Sequence, residues 1–225
     1  PQGNATTGLG LSNTENSELT IYSVLNGNKK ISEVIQSTKF KNLNLVTSNV
    51  DLSGLEVETA DDSNRAFILK AKLTAYSNDS RGSYDYVLID CPPSLSMLTI
   101  NAMVAADGVL IPMQCEYYAL EGLSALMQTI EKIKSNLNKE LQIEGILRTM
   151  YDPRNSLTTD VSTQLITHFG DKVYSTVIPR NVRLAEAPSY GLPALAYDKN
   201  SRGAMAYLAL AGEINRRTKT KKSKT

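Results

Sequence analysis

The stretch YDYVLIDCPPSL, residues 84–95, carries most of the information about the fold. An apolar run ends at Asp90, and Pro92 and Pro93 follow almost at once. Proline cannot continue a strand ladder and also restricts the residue before it, so the chain should leave the strand at this point. The sequence therefore predicts a buried strand over residues 84–90 with a carboxylate at its carboxyl end.

Similar short apolar runs occur before and after residues 84–95. Further strands are expected at 43–49, 107–113, 143–150 and 173–179. Helical spacing of apolar residues predicts helices from about Asp61, over 120–137, near 157–169 and through 207–214. Apolar strands separated by helices indicate an α/β fold with a doubly wound, mostly parallel sheet flanked by helices. In such sheets ligands bind beyond the carboxyl ends of the strands.

Composition narrows the class of protein. The chain has 225 residues, 41% of them hydrophobic, which suffices for one large domain that we expect over residues 1–215. The two cysteines, Cys91 and Cys115, are too few for a disulfide framework and lack zinc-type spacing. Without a stretch of roughly 20 apolar residues we expect no membrane span, and a cytoplasmic protein is the simplest interpretation.

Charge is concentrated at one end. The basic tail, RRTKTKKSKT (216–225), carries six Lys or Arg and no acid, while the whole chain has a net charge of only +1. Such a tail is either a solvated terminus or a segment attracted to a polyanion, and both interpretations stay open.

Two polar segments suggest phosphate chemistry. Asp90 at the end of a strand has the position of a Walker-B carboxylate, which holds the water shell of a magnesium ion, although strands ending in Asp are common. The opening PQGNATTGLG (1–10) is rich in glycine and threonine, which permit close backbone approach and supply hydroxyls. A plain surface turn would have the same composition.

Four motifs in this order resemble one family closely. PQGNATTGLG (1–10), VLIDCPPSL (87–95), IPMQCEYYALEGL (111–123) and TVIPRNVRLAEAPSYG (176–191) are similar to the ParA/Soj family of DNA-partitioning ATPases. These are P-loop NTPases with a deviant Walker A motif, related to MinD. The resemblance spans essentially the whole chain and implies ATP and Mg²⁺ as cofactors.

One part of the family pattern is absent from the sequence. No G-x-x-x-x-G-K-[ST] motif occurs anywhere in the 225 residues. In the family a strand, a KGGVGKT-type P-loop, its helix and a second strand ending in Asp come before the counterpart of Pro1. We therefore expect a chain truncated at its N-terminus, inactive as an ATPase by itself; a degenerate relative without the phosphate cradle is the alternative.

The resemblance also assigns nucleotide-site residues. It places Gly3, Thr6 and Thr7 in a switch-like loop beside the γ-phosphate and makes Asp90 the catalytic residue that holds Mg²⁺ through water. It places Met150, Pro179 and Asn181 near the adenine, although Pro179 could simply end a strand.

DNA contacts follow from the same resemblance. Arg154 in YDPRNS and Arg183 in IPRNVR match positions that the family uses to bind DNA without sequence preference. Arginine suits phosphate because its planar fork donates two hydrogen bonds. Arg202 and the basic tail could extend the patch, whereas solvation is the ordinary state of any single exposed arginine.

For the function, the resemblance implies an ATP-dependent homodimer that binds nonspecific DNA and is stimulated by a ParB-type protein. It would be nucleoid-associated and would partition a chromosome or a plasmid. A MinD-like membrane-cycling ATPase is one competitor, disfavoured because the basic tail has no apolar residue to enter a membrane. A non-enzymatic module that binds DNA or a protein partner is the other.

Overall fold

A computed structural model describes residues 1–11, 18–79 and 84–222. The side chains of 220–222 are outside this description, and with residues 223–225 most of the basic tail lies outside it. Among the described residues no helix is long and apolar enough to cross a membrane.

Helices and strands alternate through the second half of the chain, as the sequence predicts. The strands are β1 (Ile35–Ser37), β2 (Asn44–Val46), β3 (Gly108–Gln114), β4 (Gln142–Tyr151) and β5 (Val173–Pro179). The helices are α1 (Asn4–Gly8), α2 (Ile21–Leu25), α3 (Ile31–Val34), α4 (Leu55–Glu58), α5 (Ile68–Asn78), α6 (Met97–Ala105), α7 (Ala119–Asn136), α8 (Ser156–Phe169), α9 (Val182–Glu186), α10 (Ala194–Tyr197) and α11 (Arg202–Lys222). Short 3₁₀ turns lie at Val50–Gly54, Arg65–Phe67, Gly170–Lys172 and Ala187–Tyr190.

The chain forms two compact units. The first unit contains Pro1–Asp107 and Ile133–Leu141, and the second contains Gly108–Lys132 and Gln142–Thr225. A single domain over 1–215 stays a prediction.

The second unit is built on a parallel sheet in the order β3-β4-β5. Gly108 pairs with Gln142 at one end of the β3–β4 ladder, and Gln114 pairs with Thr149 at the other. Helices connect the parallel strands, as such crossovers require. The predicted strands at 107–113, 143–150 and 173–179 and the α/β class with a parallel sheet are confirmed.

Close packing fixes how β4 meets β5. Leu147, Tyr174 and Ile178 form a buried cluster with Leu210 of α11. A side chain at position 145 would bring its Cβ to 2.5 Å from the Tyr174 ring, so Gly145 is required for this approach. The β4–β5 pairing then runs as far as Tyr151 opposite Pro179, at the carboxyl edge of the sheet.

Helix α11 closes the outer edge of β5. The Glu213 carboxylate accepts hydrogen bonds from the backbone N–H groups of Ser175 and Thr176, both at 2.9 Å, and from Thr176 Oγ1 at 2.7 Å. Arg217 donates to Glu213 at 2.8 Å and to the Val173 carbonyl at 2.9 Å. These side chains occupy backbone groups that an edge strand otherwise leaves open to association.

The first unit has a different plan. Its described strands, β1 and β2, form a short antiparallel ladder from Ile35 opposite Val46 to Ser37 opposite Asn44. Small apolar clusters hold the helices around it, one centred on Leu25, Leu52, Leu55 and Leu69 and another on Val24, Ile31 and Val34. The strand expected at 43–49 is therefore present, although shorter and paired antiparallel.

The predicted buried strand over residues 84–90 is wrong for this structure. These residues form no helix or strand, and Val87 and Leu88 are 61% and 91% exposed. A strand needs a neighbour to satisfy its backbone N–H and C=O groups. Within the described part of the chain no strand pairs with 84–90, which explains why the apolar pattern alone does not produce one.

Candidate functional site

The opening loop of the first unit is ordered around a left-handed glycine. Gly3 has φ of 67° immediately before α1, a conformation that favours glycine. Thr6 is buried, and its Oγ1 accepts a hydrogen bond from Ser48 N at 3.1 Å, which ties the loop to the segment that follows β2. Thr7 is exposed and donates to the Gly3 carbonyl at 3.3 Å. Of the two hydroxyls, Thr7 is the more accessible to a ligand.

Asp90 does not occupy the end of a strand. It lies in an exposed segment outside any helix or strand, and the next residue, Cys91, is exposed as well. Burial nevertheless raises the pKa of the Cys91 thiol, with a smaller contribution from the negative charge of Asp90. The carboxylate is accessible, but the ladder that would fix its direction is not formed.

Hard oxygen ligands of the kind that Mg²⁺ and its water shell accept lie at two places in the first unit. One is the opening loop, with the exposed Thr7 hydroxyl and an amide oxygen from the segment bound to Thr6, and the other is the exposed Asp90 carboxylate. The amide belongs to Asn49, whose buried Oδ1 lacks a hydrogen-bond partner among the described residues. No group of three or more His, Cys, Asp or Glu in the described chain could hold a metal ion directly. The 225 residues contain no P-loop motif, the segment that in P-loop NTPases supplies N–H groups and a lysine to the phosphates.

The second unit brings three of the predicted nucleotide-site residues to one edge. Pro179 ends β5 opposite Tyr151, the neighbour of Met150. Arg180 N donates to the Tyr151 carbonyl at 3.2 Å, and so extends the contact between the strands by one residue. Asn181 follows, and its Oδ1 caps α9 by accepting from Arg183 N at 3.0 Å. The adenine-side assignment is compatible with this placement and stays a prediction.

Met150 has an unusual backbone for its position. Its φ is 51°, in the left-handed region that non-glycine residues rarely adopt, and its side chain is 42% exposed. Strained residues of this kind gather at ligand sites because the surrounding structure holds them in place. The strain marks the carboxyl end of β4 as a functional candidate.

Arg154 is engaged by a neighbouring carboxylate. Its Nε and Nη2 donate to the two oxygens of Asp152 at 2.9 and 2.7 Å, a bidentate pair. The hydrogen bonds from Arg154 lower the pKa of Asp152 to about 2, so the carboxylate is charged at neutral pH. The arginine side chain is 88% exposed, so this pair faces solvent.

Arg183 has two acidic partners. Its Nη1 lies 2.8 Å from Glu186 Oε2, and its Nε lies 3.6 Å from Asp198 Oδ2. The side chain of Arg183 is 52% exposed. Arg154 and Arg183, both predicted to bind DNA, are therefore accessible but already paired with carboxylates.

Arg202 differs from both. It is exposed at the first residue of α11, and the described residues offer it no salt bridge. Arg202 lies at the amino end of α11, where the helix macrodipole also favours a bound anion. DNA binding at Arg202 stays a prediction.

Some features of this edge have no signal in the sequence. Arg148 is buried within β4, where it donates to Ser162 Oγ at 2.8 Å and the Tyr174 carbonyl at 2.9 Å, yet its strand reads as apolar. An open cleft of about 840 Å³ follows β3, and the exposed rings of Tyr117 and Tyr118 meet edge to face on its wall. Arg180, exposed at the same edge, lies within the motif TVIPRNVRLAEAPSYG (176–191).

Comparison with known proteins identifies the family. A sequence model for an AAA domain matches residues 1–143. The chromosome partitioning protein ParA of Caulobacter vibrioides is 48% identical over 224 residues, which cover 100% of this chain and 83% of that protein. The sporulation initiation inhibitor protein Soj of Bacillus subtilis is 48% identical over 214 residues, 95% of this chain and 83% of its own length.

Solved structures agree on the fold. Cobyrinic acid a,c-diamide synthase from Mycobacterium smegmatis, crystallised with an ATP analogue and magnesium, is 31% identical with a TM-score of 0.77, covering 92% of this chain and 75% of that one. The cell division ATPase MinD of Pyrococcus furiosus has a TM-score of 0.73 at 24% identity, covering 95% and 81%, and supports the fold alone. Together with the sequence relatives, these matches show that the chain belongs to the ParA/Soj family of chromosome-partitioning P-loop ATPases.

Proposed function

We propose that this protein is the ATPase of a chromosome-partitioning system, acting on the nucleoid in the cytoplasm. In the proposed cycle, ATP and Mg²⁺ drive formation of a homodimer that binds DNA without sequence preference. A ParB-type protein then stimulates hydrolysis and releases the dimer. Plasmid cargo is the alternative to a chromosome.

The observation that carries the proposal is the similarity to ParA and Soj along nearly the whole of this chain. The Caulobacter protein, whose name states chromosome partitioning, aligns with 100% of this chain. All the residues to which the proposal gives a role lie within this alignment or the 95% that Soj covers.

The arrangement of arginines supports the DNA part of the proposal. Arg154 follows β4 and Arg183 follows β5, two strands that are parallel neighbours. Both side chains consequently leave the sheet at its carboxyl edge. A guanidinium that already holds a carboxylate in bidentate geometry has the donor fork that a DNA phosphate would use. Exchange of one anion for the other would cost little because both pairs face solvent.

For hydrolysis, we propose that Asp90 orders the water shell of Mg²⁺ and that Thr7 lies beside the γ-phosphate. Magnesium would neutralise phosphate charge that develops during the reaction. The chain as given should not hydrolyse ATP, because it contains no P-loop motif to hold the phosphates. ATP-dependent tests therefore use a P-loop-completed protein, meaning this chain preceded by the strand, KGGVGKT segment, helix and second strand that the family pattern predicts.

The DNA proposal is tested with Arg154→Ala and Arg183→Ala in the P-loop-completed protein with ATP. Each variant should weaken binding to several unrelated duplexes by a similar factor while leaving ATP binding intact. A phosphate contact contributes about −0.9 to the slope of log affinity against log salt, so each lost contact should flatten that slope by about one unit.

Lys172→Ala is the matched control for these variants. Lys172 precedes β5, at the opposite end of the strand from Arg183, and its loss removes the same charge. Normal DNA binding by both arginine variants at every salt concentration would show that the DNA surface lies elsewhere. Losses confined to one duplex would instead indicate base readout.

A further inference from the structure

Strands β4 and β5 do not pair in simple register. Ile146 lies opposite Val173, and a regular parallel ladder would then place Arg148 opposite Ser175. Arg148 instead lies opposite Val177, so β5 contains two extra residues over this stretch. Extra residues lose their places in the ladder, and their backbone N–H and C=O groups need other partners.

A second irregularity of the opposite sense follows at once. From Arg148 to Tyr151 the chain of β4 advances three residues, while β5 advances only two, from Val177 to Pro179. Met150, whose φ of 51° is left-handed, lies within this stretch. The two irregularities together determine which residues of β5 reach the carboxyl edge beside the end of β4.

Arg148 lies between the two irregularities and binds the irregular stretch of β5. Its side chain is buried, and its Nη2 donates to the carbonyls of Tyr174 and Ser175 at 2.9 and 3.2 Å. Its Nη1 donates to Ser162 Oγ of α8 at 2.8 Å. A single side chain therefore joins β4, the irregular stretch of β5 and the helix that connects the two strands.

The N–H groups of the same stretch have a partner on α11. Ser175 N and Thr176 N both donate to the buried Glu213 carboxylate at 2.9 Å. A guanidinium thus takes the carbonyls and a carboxylate takes the N–H groups, as their donor and acceptor chemistry requires. Of these two side chains, Arg148 is the one that belongs to β4, two residues before Met150. Its loss would therefore act on both strands near the carboxyl edge.

This arrangement is costly compared with a regular apolar strand. The Arg148 guanidinium has to leave water, its recorded acceptors are uncharged oxygen atoms, and its buried Nε has no hydrogen-bond partner among the described residues. Met150 adds backbone strain of the kind that gathers at ligand sites. A regular ladder would avoid both costs, so the arrangement is explained by what it does at the carboxyl edge.

We propose that Arg148 is a positioning residue for the base of the bound nucleotide. By fixing the register of β5, it sets where Pro179 and Asn181 lie relative to Met150, and these three residues are the ones expected near the adenine. The inference rests on the proposed ATPase function and on that adenine-side assignment. It adds a residue that acts through the backbone and does not touch the ligand.

Loss of Arg148 should change the base end of the site and leave the phosphate end alone. Its two carbonyl partners on β5 would lose their donor, and the strand could then shift towards the regular register. In that register Pro179 would lie opposite Asp152 instead of Tyr151. The residues proposed for Mg²⁺ and the γ-phosphate belong to the first unit, so affinity for phosphate alone should not depend on Arg148.

The test compares Arg148→Met with the parent in the P-loop-completed protein. Isothermal titration calorimetry measures the affinity for ATP, GTP and tripolyphosphate, each with Mg²⁺. We expect Arg148→Met to bind ATP roughly tenfold more weakly, as a small misfit in a binding pocket does, and to bind tripolyphosphate like the parent. The preference for ATP over GTP should shrink accordingly. In steady-state assays KM for ATP should rise by a similar factor, while kcat stays within about twofold of the parent value.

Leu165→Ala is the matched control, because it removes a buried side chain of α8 without removing a hydrogen bond to β5. It should weaken the fold and leave the ratio of ATP to GTP affinity unchanged. Arg148→Lys keeps a cationic donor and should lose less ATP affinity than Arg148→Met. Ser162→Ala removes only the bond to α8 and should lose least. These milder variants carry the test if Arg148→Met does not fold.

A measurement without nucleotide tests the effect on register directly. In the 225-residue chain, the Arg180 N–H donates to the Tyr151 carbonyl at 3.2 Å, just beyond the second irregularity. Hydrogen–deuterium exchange of this amide, relative to the amides of β3 in the same sample, should be faster in Arg148→Met and unchanged in Leu165→Ala. Unchanged relative exchange in Arg148→Met would overturn the inference, because Arg148 would then not set the register.

The binding outcomes separate the inference from the proposed function. If the parent binds ATP and Arg148→Met weakens ATP, GTP and tripolyphosphate equally, Arg148 has only a structural role and the proposed function stands. Unchanged affinity for ATP in a folded Arg148→Met protein overturns the inference in the same way. A parent protein that binds no ATP overturns both.

Discussion

Residues 84–90 and strand β4 are similar in sequence and different in structure. Both are apolar runs followed by a polar exit, YDYVLID in one case and QIEGILRTMY in the other. In β4, Ile146 is fully buried and the strand is paired on both sides. In the first unit, Leu88 is 91% exposed.

This difference shows what an apolar pattern can determine. It reports that a segment would gain free energy from burial, but a strand also requires neighbours that accept its backbone hydrogen bonds. β4 has β3 and β5 beside it, whereas 84–90 has no strand beside it in the described chain. Fold class follows from pattern, but the state of a particular strand depends on its neighbours.

The largest expected effect is the difference in stability loss between a substitution in β4 and the same kind of substitution in residues 84–90. Ile146→Ala should lower the free energy of unfolding by about 2–5 kcal/mol, because it opens a cavity in a packed sheet. Leu88→Ala in the same 225-residue chain should change it by less than about 0.5 kcal/mol, since the side chain is already in water. Urea unfolding followed by circular dichroism measures both.

The same urea unfolding experiment can contradict the proposed difference between β4 and residues 84–90. Similar losses from Ile146→Ala and Leu88→Ala would mean that residues 84–90 are packed in solution. In the P-loop-completed protein, where the family pattern supplies further strands, we expect the Leu88→Ala loss to approach that of Ile146→Ala.

A smaller effect is expected at the edge of β5, and it depends on pH. The pKa of Glu213 is lowered to about 2 from 4.5: desolvation by burial, the largest influence, would raise it, but hydrogen bonds from Thr176, Ser175 and Arg217 together outweigh it. A lowered pKa stabilises the fold above the unfolded value, and this contribution is lost as pH falls towards the folded value. Between pH 5.5 and 2.5 the loss should be about 2 kcal/mol.

Glu213→Gln isolates that contribution. Its free energy of unfolding should start lower than that of the parent at pH 5.5 and fall by about 2 kcal/mol less on acidification, as measured by urea unfolding at several pH values. Glu131→Gln, on α7, serves as a control for the loss of one acid. Parallel pH curves for the parent and Glu213→Gln would contradict the proposed edge closure.

Much of the second unit could be predicted from sequence, and particular contacts could not. Periodicity located β3, β4 and β5. The family resemblance singled out Met150, Pro179 and Asn181, which the structure places at one edge of the sheet. The Glu213 contact joins residues 37 and 38 positions apart, so no local pattern reports it.

The arginine partners show the same limit. Arg154 and Asp152 are two residues apart in sequence, but their bidentate geometry depends on the turn after β4. Whether the Arg180 guanidinium is free to meet an anion depends on which carboxylates the fold brings near it. The position of the Asp90 carboxylate depends on whether other strands lie beside residues 84–90. Side-chain identity is local information, whereas partners and burial are set by tertiary structure.

The central claim, that Asp90 serves an ATPase site of the ParA/Soj type, is tested most directly by steady-state ATP hydrolysis in the P-loop-completed protein with DNA and a ParB-type partner. Asp90→Ala should lower turnover by at least about 100-fold, because transition-state charge on the phosphates loses its ordered magnesium shell. Asp85→Ala, at the start of the same segment, should hydrolyse ATP at close to the parent rate. Near-normal turnover by Asp90→Ala would contradict the account and leave Asp90 without a catalytic role.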